Sequence, residues 1–211
     1  MKHSHLFSVI VIAALFVCGC RAKNEPAPPA PVQAQSPQKP AVPIPAGKTK
    51  AATEAFFDAA MNGDIQTVEA ELTAGVDVNA TDPDGQNRTA LMLAAYNGHT
   101  ELVAMLIDSG GDVNAADIAN RTALMYVSTG PFPETVQLLL DRGAKVNIID
   151  NNEKWTALMF AAAEGQAEVV EKLLAAGADT THKDIDGDTA ADFAAQNGHT
   201  QVAKMIQEHA K

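Results

Sequence analysis

The sequence predicts an all-α solenoid of about five stacked helix-turn-helix units, joined by β-hairpin or turn connections and preceded by a disordered proline-rich linker. Three observations predict it. Thr-Ala-Leu-Met recurs at Thr89, Thr122 and Thr156, with a fourth copy, Thr189-Ala190-Ala191-Asp192, so that the threonines stand 33, 34 and 33 residues apart. A fixed period of this length is the signature of a repeat architecture. The 211 residues are 46% apolar, enough for a core, yet 39 are alanine against 7 Phe, 2 Tyr and 1 Trp. Such a core is built from small side chains in close contact. The formal charge of −11 is also unevenly divided: residues 1–50 carry +5 and residues 51–211 carry −16. A folded part this acidic is a poor binder of nucleic acid.

In chain order, residues 1–19 have the features of a secretory signal. Lys2 gives a positive start, and Leu6 to Val17 is an uncharged apolar run. As a helix this run spans about 18 Å, against about 30 Å for a bilayer core, the length of a signal-peptide core rather than a span. Val17-Cys18-Gly19-Cys20 resembles the lipobox of bacterial lipoproteins, with Cys18 a departure where Ala, Ser or Thr is commoner. The resemblance implies that Cys20 becomes the first mature residue and carries acyl chains, which together anchor stably where one is marginal. It implies a periplasmic protein. Arg21, in place of the Asp that retains lipoproteins at the inner membrane, points to the outer membrane. Residues 20–50 form the tether: 8 of the 11 prolines lie between Pro26 and Pro45, and such a segment buries too little surface to order itself.

Residues 51–211 form the repeat domain, with units at about 51–82, 83–115, 116–148, 149–181 and 182–211. In the second unit Thr89 is placed to cap a first helix, accepting from a free amide of its first turn. Leu91, Ala94 and Ala95 lie on one face of it, and Asn97-Gly98 ends it. Thr100 is expected to cap a second helix with an apolar stripe at Leu102, Val103, Leu106 and Ile107. Gly75, Gly110, Gly143 and Gly177 stop the second helices. Helices this short do not persist alone, so stacking of neighbours holds the unit. Paired Ala59-Ala60, Ala94-Ala95, Ala161-Ala162 and Ala194-Ala195 allow that stacking. The last unit replaces Met by Asp192 and ends with polar Gln201, Lys204, Gln207 and Glu208, as a terminal cap requires. The third unit is irregular, with Val127-Ser128 for the alanine pair and Gly130-Pro131-Phe132-Pro133 for the inter-helix turn. Pro133 falls near the first helical position, where proline is tolerated.

These units resemble ankyrin repeats over about residues 53–209, with Thr-Ala-Leu-Met where that family often has Thr-Pro-Leu-His. The resemblance implies that His99 and His199, each after Asn-Gly, bond backbone between helix and loop, and that partners bind a concave face made of hairpin tips and first helices. The variable position before each Thr is Arg88, Arg121, Trp155 and Asp188; the variable pair closing the first helix includes Tyr96 and Asn97. Trp, Tyr and Arg dominate binding energy at interfaces, so Trp155, Arg121, Arg88 and Tyr96 are candidate contacts, with Asn97 and Asp188 beside them. Trp155 has two readings: an exposed contact, or a ring folded onto neighbouring hairpins. His182 and His209 read as isolated and solvated.

No catalytic constellation accompanies the scaffold, and no cofactor is expected. Asp184-Ile185-Asp186-Gly187-Asp188 lacks the acidic twelfth ligand of a calcium loop, where Ala195 stands, and Asp-Gly there is turn chemistry. No metal is expected. The expected partner is another protein, with the acidic domain favouring a basic one, and the chain is expected to be monomeric. Ankyrin lipoproteins of this type include immunity proteins that neutralise secreted toxins, and bacterial ankyrin proteins that support periplasmic catalase or envelope stress defence.

Overall fold

A computed structural model of the chain describes residues 53–210. The signal, the lipidation site Cys20 and the tether lie outside the described residues. The described part consists of α1 (Glu54–Asn62), α2 (Ile65–Thr73), α3 (Ala90–Tyr96), α4 (Thr100–Asp108), α5 (Ala123–Val127), α6 (Pro133–Asp141), α7 (Ala157–Ala163), α8 (Ala167–Ala175), α9 (Ala190–Gln196) and α10 (Thr200–His209). They form five helix pairs. The odd-numbered first helices stack on one another, and α4, α6, α8 and α10 stack in turn among the second helices. None of these helices is long and apolar enough to cross a membrane.

Local chemistry explains each start and stop. Thr89, Thr156 and Thr189 sit extended before α3, α7 and α9 and accept a bond from the backbone N–H three residues on. At Thr189 the bond is reciprocal, because Asp192 accepts from the Thr189 amide. The residue that departs from Thr-Ala-Leu-Met thus builds a capping box for the terminal unit. Thr100 does not cap. His99 holds that position, and Thr100 is already helical, with its hydroxyl 2.7 Å from that of Thr135 in the next unit. Pro133 is the first residue of α6. Hairpin pairing between units is minimal: isolated antiparallel bridges join Thr81 to Thr89 and Ala116 to Thr122.

The core runs unbroken through the stack. The alanine pairs Ala59-Ala60, Ala94-Ala95 and Ala161-Ala162 are buried, and so is Ala194. Ala195, on α9 of the fifth unit, is exposed. Val127 and Ser128 are fully buried in the irregular third unit. Ser128 stays compatible with burial by donating to the Leu124 carbonyl at 2.6 Å. Its helix α5 is correspondingly short.

Two further devices lock neighbouring units together. Asn79 donates to the Gly110 carbonyl at 3.1 Å and accepts from the Asp112 amide at 2.8 Å. Asn114 does the same to Gly143 and Lys145, and Asn147 to Gly177 and Asp179. Each asparagine amide satisfies the carbonyl of the glycine that follows the next second helix. On the opposite edge, His99 Nε2 lies 3.0 Å from the Met61 carbonyl, as the family resemblance implied. The third unit places Phe132 in that position, with its ring packed against Gly98 and Gly130. An apolar plug there replaces a hydrogen bond.

Candidate functional site

The first helices and the hairpins before them form one continuous face, and its layout follows from an aspartate in each hairpin. Asp82, Asp117 and Asp150 are buried. Their Oδ1 atoms accept from the backbone N–H of Arg88, Arg121 and Trp155 respectively. Asp184 accepts from Asp188 in the same way. The residue before each Thr is therefore held against its hairpin by the backbone. The residue just before it takes a left-handed conformation: Asn87, Asn120, Lys154 and Gly187 all have positive φ. Asn and Gly adopt this readily.

The candidate residues do not all behave alike. Arg88 gives its Nε to Asp82 and one terminal nitrogen to Asp84. Arg121 gives its Nε to Asp117 at 3.0 Å, and its guanidinium carbon lies 5.2 Å from the centre of the Tyr126 ring. Tyr126 donates its hydroxyl to the same Asp117 oxygen at 2.8 Å and meets Tyr96 edge-on, with centroids 6.3 Å apart. Burial pushes the Tyr126 phenol above the usual tyrosine range. The Arg121 charge pulls it down, and the bond to Asp117 works with burial, so the hydroxyl stays a donor. Desolvation likewise pushes Asp82 up, against the pull of Arg88. Half-buried Arg88, Arg121 and Tyr96 thus form one patch of ordered side chains around the buried Tyr126.

Trp155 folds down. Its ring packs against Phe160, with centroids 5.0 Å apart, and against Phe193 at 4.5 Å. All three rings remain part-exposed. Asn97 turns away from the patch and donates to the Met61 carbonyl at 2.7 Å, so its role in the stack is structural. Asp188 is part-exposed at the end of the row. His182 is not isolated: its Nε2 lies 2.8 Å from the Lys154 carbonyl. Asp184 accepts the amides of Asp186 and Asp188, which makes that acidic run a turn. Among the described residues no group of His, Cys, Asp or Glu is placed to hold a metal.

Sequence reading missed the fourth residue after each Thr. Phe57, Leu93, Tyr126, Phe160 and Phe193 occupy it in the five units. These side chains line the same face in register, and the period that located the threonines would have located them too.

The same register defines the family. A family model described as "Ankyrin repeats (3 copies)" matches residues 56–150 and again 127–211. The chain belongs to the ankyrin-repeat family. Ankyrin repeats imply a role in protein–protein interaction. The ankyrin domain is 31% identical over 148 residues to an L-asparaginase of Dirofilaria immitis, covering 70% of this chain and 25% of that protein. It is 33% identical over 157 residues to an E3 ubiquitin-protein ligase of Arabidopsis thaliana, covering 74% and 24%. It is 37% identical over 159 residues to an ankyrin repeat and KH domain-containing protein of Caenorhabditis elegans, covering 75% and 5%. The chain therefore spans about a quarter or less of these relatives.

Proposed function

We propose that this chain is a monomeric ankyrin lipoprotein, anchored through Cys20 to the periplasmic side of the outer membrane, that holds another protein against its hairpin face. Its work is binding rather than catalysis. The observation that carries the reading is the patch of Arg88, Arg121, Tyr96 and Tyr126. All four are residue types that dominate interface energies, and Asp82 and Asp117 order Arg88, Arg121 and Tyr126 before any partner arrives. Pre-ordered arginines lose less entropy on binding than free ones.

The acidic domain favours a basic partner. A secreted toxin of basic charge, neutralised by this chain as its immunity protein, is the specific version that this charge supports. The test is affinity capture from periplasmic extract. The intact chain is expected to retain a protein that Arg121→Ala with Tyr96→Ala releases. Equal retention by both would refute the assignment of the face. Metabolic labelling with a palmitate analogue tests the anchor, and label that survives Cys20→Ser would refute it.

A further inference from the structure

The aspartate in each hairpin has two carboxylate oxygens, and comparison of the units shows what each does. One oxygen always accepts the backbone amides of its own hairpin. In the second unit the other oxygen, Asp82 Oδ2, takes Arg88 Nε. In the third, Asp117 Oδ2 takes both Arg121 Nε and the Tyr126 hydroxyl. In the fourth unit Trp155 stands where the arginines stood, and Phe160 stands where Tyr126 stood. Phe160 has no donor, and Trp155 reaches Asp150 through its backbone N–H alone. Asp150 Oδ1 accepts from Glu153 and Trp155, both at 3.1 Å, and among the described residues no donor meets Oδ2. Asp150 is only 4% exposed, and no buried side-chain oxygen among the described residues lacks a partner, so Oδ2 is the part of this carboxylate that reaches the surface. A carboxylate with so little of itself in water is ordinarily matched by a cation.

The surroundings suit a cation. Trp155, Phe160 and Phe193 form a part-exposed aromatic shelf. Aromatic faces attract guanidinium groups. The hairpin of Asp150 itself adds Glu153, and the next one adds Asp186 and Asp188. In the two preceding units the chain supplies the guanidinium itself; in the fourth the Trp155 indole packs against Phe160 instead, and the carboxylate is left without a guanidinium of its own.

We infer that the fourth unit is a receptor for an arginine side chain of the protein partner, whose guanidinium donates to Asp150 Oδ2 and lies on the Trp155–Phe160–Phe193 shelf. This rests on the reading of the hairpin face as a partner surface, and it names the residue type that the face selects. The partner's arginine completes in trans the pairing that Arg88 and Arg121 make in cis.

Trp155 is the chain's one tryptophan, so its emission reports directly on the site. The experiment uses the full-length lipidated chain in detergent micelles. The probe is a blocked alanine–glycine peptide with one central arginine, and the control is its citrulline twin, which keeps the shape without the charge. The arginine peptide is expected to change Trp155 emission saturably. Binding should fall about tenfold or more for the citrulline peptide and for Asp150→Asn, the factor that a charge-assisted hydrogen bond supplies. Trp155→Arg, followed by calorimetry, should abolish binding by supplying the guanidinium in cis while Asp150 is kept. Emission that stays flat with the arginine peptide, or equal binding to the citrulline twin or to Asp150→Asn, overturns the inference. If partner capture still depends on Arg121 and Tyr96, such a result overturns this inference alone and leaves the face assigned.

Discussion

Asp117 and Asp150 occupy the same register, and the same substitution should cost very different amounts at the two. Asp117 accepts from the amides of Ala119 and Arg121 at 2.8 Å on one oxygen, and from Arg121 Nε and the Tyr126 hydroxyl on the other. Its side chain is 0% exposed. Asp117→Asn must turn an N–H toward an N–H whichever way the amide is placed. Breaking a buried ion pair from one side costs about 3–5 kcal/mol. Arg121 is 24% exposed and recovers some hydration, so the expected loss is about 2–3 kcal/mol. Asp150→Asn keeps the accepting oxygen for Glu153 and Trp155 and sets its NH2 where no donor stands, so its cost should stay below about 1 kcal/mol. Urea unfolding followed by far-ultraviolet circular dichroism measures both. With a slope of about 2 kcal/mol per molar, Asp117→Asn lowers the midpoint by about 1 M. Equal losses at the two positions would refute the claim that the second oxygen is satisfied in one unit and not in the other.

Three more outcomes follow from the same contacts. Asn114→Ala removes a donor to Gly143 and an acceptor for Lys145, and should cost about 1–3 kcal/mol in chemical unfolding; a loss under half of that would discount the asparagine locks. Gly98 has φ +69° and a Cβ there would fall inside the Phe132 ring, whereas Gly110, with φ +97°, faces open space. Gly110→Ala should therefore cost only the left-handed strain of about 1–2 kcal/mol, and Gly98→Ala should melt lower still; the reverse order would contradict the packing of Phe132. Asp192 is held below its ordinary value of 3.8 by bonds from the Thr189 hydroxyl and amide. Because the folded value is depressed, its stabilisation is complete above the unfolded value and disappears as pH falls through the folded one. Asp192→Ala should flatten the fall in melting temperature below about pH 4, and an unchanged slope would remove Asp192 from the acid limb.

Much of the scaffold was legible because it depends on local chemistry. Thr89 and Thr156 cap the helices that follow them, the glycines stop the second helices, and Pro133 opens α6, all from interactions within a few residues. What escaped reading depends on stacking. Asn79, Asn114 and Asn147 bond carbonyls about thirty residues away, which only the assembled neighbours bring within reach. Thr100 looked like a cap, but the cap is His99, and the Thr100 hydroxyl serves Thr135 instead. Phe132 in the histidine position and Ser128 in the alanine position are explained only by their contacts. At the candidate site the sequence located Arg88, Arg121, Trp155 and Tyr96 through their register. It did not show that Asp117 ties Arg121 to Tyr126, that Asn97 points into the stack, or which way Trp155 turns. Side-chain direction depends on the partner each finds, and those partners come from other elements.

The central claim is that this chain works through its hairpins and first helices. Amide hydrogen exchange of the chain with and without a captured partner tests it most directly. The account predicts added protection in the hairpins at 82–89, 117–122, 150–156 and 184–189 and in α3, α5, α7 and α9, with α4, α6 and α8 unchanged. Protection confined to α4, α6 and α8 would contradict it.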